Sequence, residues 1–353
     1  MLKIGSKKIG DGHPTFITFE AGPTHNGLES AKSLIKIAAE NGGDAIKFQI
    51  FDPDELVHDK SLLYSYDILV DKESGETRHV SEPLYDIFVR RSLLESEWKE
   101  LKAYSDRLGI TFFATIGDEA GLEIVKSIGC ESVKIASADV NHLPWLREIA
   151  KHDLVVQLDT GNSTFGEIET AVDIIRKGGS KRVIIHNCPS GYPAVLDSIN
   201  LKMIPSLKVL FDCPVAYSDH SSGSMMDIAA VALGANLVEK TITQDRCTPS
   251  VEHIMSLEPN EVRSFVSEIR ELECALGSTR RIMSDEEKSK RLNVRRSVYL
   301  AENVETGQLL RDTKVKFKRP GFGMSPVQYE EHIDKVFNKA LTAGSLLNLG
   351  DLS

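Results

Sequence analysis

The chain has 353 residues, 41% hydrophobic and 27% charged, with a formal net charge of −10. That length supports a large buried core, arranged as one barrel with an appendage or as two domains at most. The acidic balance excludes the broad basic footprint of a nucleic-acid binder, so any bound anion must meet Lys and Arg placed locally.

The N-terminal "MLKIGSKKIGDGHPTF" lacks a signal-peptide apolar stretch, and no run reaches membrane-spanning length. A cytoplasmic protein without a membrane partner is expected. The first twelve residues repeat "LKIG" as "KKIGDG" and predict a small hairpin turned by Gly and Lys. Short β-rich runs then alternate with amphipathic helical stretches. The runs are FITFE (16–20), AIKFQI (45–50), ITFFAT (110–115), SVKIAS (132–137), LVVQLD (154–159), RVIIHN (182–187), PVAYS (214–218) and LVEKT (237–241). Helical patterns such as "SAKSLIKIAAENGG" often stop at Gly, as a helix C-terminus prefers. Eight such alternations predict an α/β protein built as a (β/α)8 TIM barrel, and no GxGxxG follows the first strand to support an open doubly wound sheet.

Residues 51–92, carrying "SYDILVDKESGETRH", exceed an ordinary βα loop and predict a lid over the barrel mouth or a small hairpin. The barrel is expected over 1–280, a charged and unpatterned linker over 281–293, and a compact β-rich tail over 294–353. Within the tail, "TGQLLRDTKV" (306–315) is echoed by "AGSLLNLGDL" (343–352). Five cysteines, Cys130, Cys188, Cys213, Cys247 and Cys274, are scattered without a CxxC pair, as free thiols in a reducing compartment would be.

Barrel active sites form at strand C-terminal ends. Polar residues there include Glu20, Lys47, Gln49, Thr115, Lys134, Ser137, Asp139, Thr160, Ser190, Tyr192, Ser218, Asp219, His220, Glu239 and Lys240. Lys47 and Lys134 stand in apolar strands, where an unpaired ammonium is costly. Two readings remain open. Either each pairs with Glu20 or Glu239 inside the barrel, or both converge on an anionic substrate with Thr115, Ser137 and Thr160 as hydroxyl donors. His220 follows Asp219 at the end of the seventh strand; a lone histidine is usually a hydrogen-bonded structural residue, but the barrel mouth is where functional ones collect. Only His25, His186 and His253 join it near strand ends, and no HxH or HxxxH spacing marks a metal site.

The stretches "IGDGHPTFITFEAGPTHNG", "AIKFQ", "SVKIASAD", "YP" at 192–193, "YSDHSSG" and "AAVALGANLVEKTIT" closely resemble the sialic acid synthase family, which makes nonulosonic acids. The tail "ETGQLLRDTKVKFKRPGFG" resembles that family's C-terminal antifreeze-like (SAF) domain. The resemblance implies a domain-swapped homodimer that condenses phosphoenolpyruvate with an N-acyl hexosamine aldehyde such as N-acetylmannosamine, releasing phosphate and using a divalent metal. It places phosphoenolpyruvate on Lys47, Thr115, Lys134, Ser137, Thr160, Ser190 and Ser218. Glu20, Gln49, Tyr192 and Glu252 would face the sugar, and Arg319 would reach the partner's site to hold the N-acyl group. Glu20, Asp139 and His220 fall at catalytic positions, Asp139 standing where the family carries Glu.

His220 matches the family's first metal ligand. The second, normally a histidine 21 residues on (241 − 220), is Thr241 here, so a weakly bound Mn²⁺ or Mg²⁺ is expected. Rival expectations are a related phosphoenolpyruvate-condensing synthase with a phosphorylated acceptor, against which the SAF-like tail argues, and a non-catalytic sugar-binding homologue. The retained lysines and hydroxyls argue against the latter.

Overall fold

The computed structural model describes residues 2–353, and the chain divides into two compact units, Met1–Gly277 and Ser278–Ser353. The first is a closed (β/α)8 barrel. Its parallel strands are β1 Phe16–Glu20, β2 Ala45–Ile50, β3 Thr111–Ile116, β4 Ser132–Ile135, β5 Val155–Asp159, β6 Val183–Asn187, β7 Val215–Asp219 and β8 Leu237–Thr241. Each pairs with the next, and β8 returns to β1 through the register Leu237↔Phe16 to Thr241↔Glu20. All eight β-rich runs are barrel strands. Parallel strands covered on both faces need near-continuous Val, Ile and Phe, which made them legible.

The two-residue period of a strand sorts these side chains into separate cores. Outward residues, among them Ile17, Phe19, Ile46, Phe48, Val156 and Val238, pack against the helix ring. Inward residues Phe16, Ala45, Phe113, Val155, Ile184, Ala216 and Leu237 form a second cluster that floors the barrel. The N-terminal hairpin, Leu2–Ile4 paired with Lys7–Ile9, closes this floor with Leu2, Ile4 and Ile9. Two residues further along the strands the inward positions turn polar: Thr18, Lys47, Thr115, Lys134, Gln157, His186, Ser218 and Glu239 are all buried.

Residues 51–92 form an antiparallel hairpin, Leu63–Leu69 with Thr77–Pro83, flanked by short helices Pro53–Leu56 and Leu84–Val89. Tyr66 and Ile68 pack on Ile87 and on Val251 from the loop after β8. Lys72 at the hairpin tip bridges to Asp245 of that loop at 2.8 Å. The insertion is thus a hairpin that also walls the barrel mouth.

The second unit is small and β-rich. Strands Ser297–Leu300 and Val315–Lys318 pair antiparallel over a core of Val298, Leu300, Val304, Leu310, Met324, Phe337 and Leu347. The two echoed segments share two features: a glycine with positive φ as second residue (Gly307, 87°; Gly344, 89°) and a buried leucine, Leu310 or Leu347. The stretch read as a linker contains a helix, Asp285–Val294, with no buried residue. Its signal is a cap rather than a period: Ser284 and Glu287 form a capping box and Lys290 pairs with Glu286 one turn back. No helix among the described residues is long and apolar enough to cross a membrane.

Ile4 is fully buried in the floor while neighbouring Lys3 is exposed. Ile4→Ala should therefore destabilise the barrel by about 2–5 kcal/mol, whereas Lys3→Ala should shift urea unfolding very little. Equal effects would show that the hairpin does not act as a plug.

Candidate active site

A cavity of about 320 Å³ opens at the C-terminal ends of the strands. Its closed end is a network of buried charges. Lys134 Nζ lies 2.5 Å from Glu239 Oε1, 2.9 Å from Asp159 Oδ2 and 3.0 Å from Ser218 Oγ. Lys47 Nζ pairs with Glu20, donates to Thr115 Oγ1 at 2.9 Å and lies 3.3 Å from Glu239. Strand register brings these groups together: Glu20 faces Lys47 across β1 and β2, and Ser218 faces Glu239 across β7 and β8. Each lysine thus has the carboxylate partners of the first reading, and each also lines the cavity required by the second.

Burial alone would lower the Lys134 pKa, but Asp159 and Glu239 outweigh it and hold the ammonium charged. Burial would likewise raise Glu239, and Lys134 with Lys47 reverse this, keeping it ionised far below the usual carboxylate range. Glu20 and Asp159 move the other way, pushed up chiefly by burial. Glu239 is therefore the fixed anion between two cations, and its two neighbours are the carboxyls that take protons more readily.

Loop backbone approaches closely at Gly22, which donates its N–H to Glu20. A Cβ there would sit 2.8 Å from the Gln49 backbone nitrogen. Nearer the mouth, the Tyr192 ring rests against His220 with centroids 4.5 Å apart. Glu252, raised to about 7 by burial and then by Glu20, accepts from the Thr241 hydroxyl at 3.4 Å.

A divalent ion would need donors converging here. His220 Nδ1 is 2.9 Å from the Pro189 carbonyl oxygen. A carbonyl only accepts, so Nδ1 carries the proton and Nε2 keeps its lone pair. Burial and Lys134 depress this imidazole to about 4, so it is neutral at physiological pH. No second imidazole joins it: His253 is hydrogen-bonded to Thr243 at 2.7 Å, and His25 is wedged between Phe48 and Trp98. The Asp219 carboxylate is committed to Lys240, Tyr217 and Ser221. No group of three His, Cys, Asp or Glu suited to a metal occurs among the described residues. The residues present do not fit an ion held by the protein itself.

Of the residues expected in the site, Glu20, Lys47, Gln49, Thr115, Lys134, Ser137, Tyr192, His220, Thr241 and Glu252 line the cavity. Ser218 lies directly behind Lys134. The remaining residues do not line the cavity, although Asp139 directly follows the lining residues Ser137 and Ala138. Thr160 spends its hydroxyl on the His186 carbonyl at 2.7 Å, and Ser190 is exposed. Asp139 ends the turn Ser137–Asp139, its pKa raised by burial. Arg319 is exposed in the second unit.

Two charged lining residues were not anticipated, Asp159 and Arg91. Asp159 could have been found, because it is the last residue of β5. Arg91 lies on the insertion, where no periodic signal points inward.

The sequence profile of the NeuB family matches residues 34–281. The N,N'-diacetyllegionaminic acid synthase of Campylobacter jejuni is 34% identical over 328 residues, covering 92% of this chain and 96% of that protein. Human N-acetylneuraminate-9-phosphate synthase is 32% identical over 274 residues, 76% of this chain and 73% of that protein. The crystal structure of the N-acetylneuraminic acid synthetase of Leptospira borgpetersenii, in complex with citrate, superposes with a TM-score of 0.71 at 32% identity. That match covers 82% of this chain and 94% of the other. With a barrel of the same topology and two buried lysines at its closed end, this chain belongs to the NeuB family, the family of the sialic acid synthases.

Proposed function

We propose that the protein condenses phosphoenolpyruvate with an N-acyl hexosamine aldehyde to give a nonulosonic acid and inorganic phosphate. The observation that carries this reading is the pair of lysines buried at the closed end of the cavity, beside the hydroxyls of Thr115 and Ser137. A small substrate bearing phosphate and carboxylate suits two such cations.

In the reaction, carbon 3 of the enol bonds to the aldehyde carbon and the aldehyde oxygen takes a proton. Water then adds to the oxocarbenium carbon 2, and the bond from that carbon to the phosphate oxygen breaks. Lys47 and Lys134 hold the anionic end and stabilise its charge. On the sugar side, Glu252 has a pKa of about 7 and is in part protonated near neutrality, which suits a proton donor. Asp139, made more basic by burial, is the proposed carboxylate for the water-adding step. The second unit, which resembles a SAF domain, supplies Arg319 to the acyl group in a homodimer. Incubation with phosphoenolpyruvate and a panel of N-acyl hexosamines, followed by phosphate release and product mass, tests the reading. No phosphate released with any acceptor would defeat it.

Lys47→Met and Lys134→Met should each raise the phosphoenolpyruvate KM by about 10–100-fold or abolish turnover, with folded circular dichroism retained. Full activity in the folded fraction of both variants would assign the lysines to structure alone.

Arg319 should act across subunits, its planar fork suiting an acyl carbonyl. Mixing inactive Arg319→Ala and Lys47→Met protomers should recover partial activity, because a heterodimer holds one site with both residues. Absence of recovery despite proven subunit exchange speaks against a shared site.

Mn²⁺ or Mg²⁺ should bind only weakly, with His220 the one imidazole available. Thr241→His should tighten Mn²⁺ binding by at least about tenfold in calorimetry, and His220→Ala should remove what remains. Tight binding by the unmodified protein would contradict this.

A further inference from the structure

The outer half of the cavity differs in character from the closed end. Phe51, Leu84, Ile87, Phe88 and Val251 make an apolar wall there, contributed by the insertion and by the loop after β8. One charge stands on that wall. Arg90 and Arg91 follow the helix Leu84–Val89, and both reach the Ser250 hydroxyl at 3.5 Å. Arg90 is the more exposed of the two and grips Glu82 with two hydrogen bonds of 2.6 and 2.7 Å. Arg91 is turned inward, is only 7% exposed and lines the cavity. Among the described residues it makes no ion pair, and its one side-chain hydrogen bond, to Ser250 Oγ, is 3.5 Å long.

A guanidinium carries several N–H donors in a planar fork, and those of Arg91 that its single long bond leaves free open on the cavity. The cavity offers a place for an acceptor to use them. A phosphate dianion fits poorly: the fork is single, its surroundings are apolar, and Glu20 and Glu252 line the same space. The other cations of the cavity, Lys47 and Lys134, stand at the closed end, where the proposed reaction places phosphoenolpyruvate. A neutral amide fits on both counts, its carbonyl oxygen accepting from the fork and its methyl lying on the wall.

We infer that Arg91 is a specificity-determining residue that takes the carbonyl oxygen of a second acylamido group on the acceptor. The preferred acceptor is then a diacylamido hexose rather than a mono-acylated or phosphorylated one. This rests on the synthase reading above and adds the substrate class. Arg91 acts from the barrel's own insertion, on a different acyl group from the one assigned to Arg319.

The test is steady-state phosphate release by the full-length protein and by Arg91→Leu and Arg91→Lys. Three acceptors are compared: a diacetamido-trideoxyhexose, N-acetylmannosamine, and the phosphate monoester of N-acetylmannosamine. The unmodified protein should show its highest kcat/KM on the diacetamido sugar. Arg91→Leu should lower that value by about 10–100-fold, while kcat/KM for N-acetylmannosamine and the KM for phosphoenolpyruvate stay within about twofold. Arg91→Lys should fall between, since an ammonium lacks the fork. If Arg91→Leu fails to fold, the selectivity of Arg91→Lys decides alone, and unmodified selectivity there overturns the inference. Equal losses on all acceptors would make Arg91 structural, and the largest loss on the phosphate monoester would make it an anion site; either overturns the inference but leaves the synthase reading standing. An unmodified protein that turns over none of the three overturns both.

Discussion

Two ammonium groups sit where a closed parallel barrel leaves almost no water to solvate them, and the site is arranged around keeping them charged. Lys47 and Lys134 are 3% and 1% exposed, so each must find its counter-charge within the wall. Glu239 serves both, standing 2.5 Å from Lys134 and 3.3 Å from Lys47. Glu20 and Asp159 complete the pairing from either side. Two cations and three carboxyls would over-balance toward negative charge, and the raised pKa values of Glu20 and Asp159 relieve that excess by favouring their protonated forms.

On the proposed reading, that arrangement lets one network be both structural and ready for an anion. Before substrate arrives, the carboxylates hold the lysines charged and in place. An incoming phosphate or carboxylate would compete with Glu20 and Asp159, whose pKa values are raised, while Glu239 stays ionised. The cations are thus positioned in advance, and little reorganisation is left for the binding step. The apolar floor beneath, sealed by the N-terminal hairpin, keeps water from the far side of the network.

The mouth follows a different logic. There Thr241 donates to Glu252, and the lone imidazole of His220 is fixed by the Pro189 carbonyl and the Tyr192 ring. The insertion then supplies the outer wall, tethered through Lys72 and packed on Val251, so that one segment of chain gives both the apolar surface and Arg91.

The barrel was legible because its signals are local. Runs such as "AIKFQI" and "LVVQLD" announce buried parallel strands by composition, and the two-residue period already puts Lys47 and Gln49 on the same face as Ala45. The lysines stood out by their contrast with apolar neighbours, and the change at 241 by its contrast with a known motif. The helix at Asp285–Val294 was missed because it is fully exposed and so carries no apolar period. The sequence by itself determined the strands, their facing and the presence of two buried cations. Tertiary structure alone decided which carboxylates those cations meet, and that Arg91 lines the cavity while Arg90 pairs with Glu82. The Lys134–Glu239 contact spans 105 residues, and the insertion folds back over the mouth. Contacts of that reach arise only when barrel closure brings distant strand ends together, and no local spacing encodes that geometry.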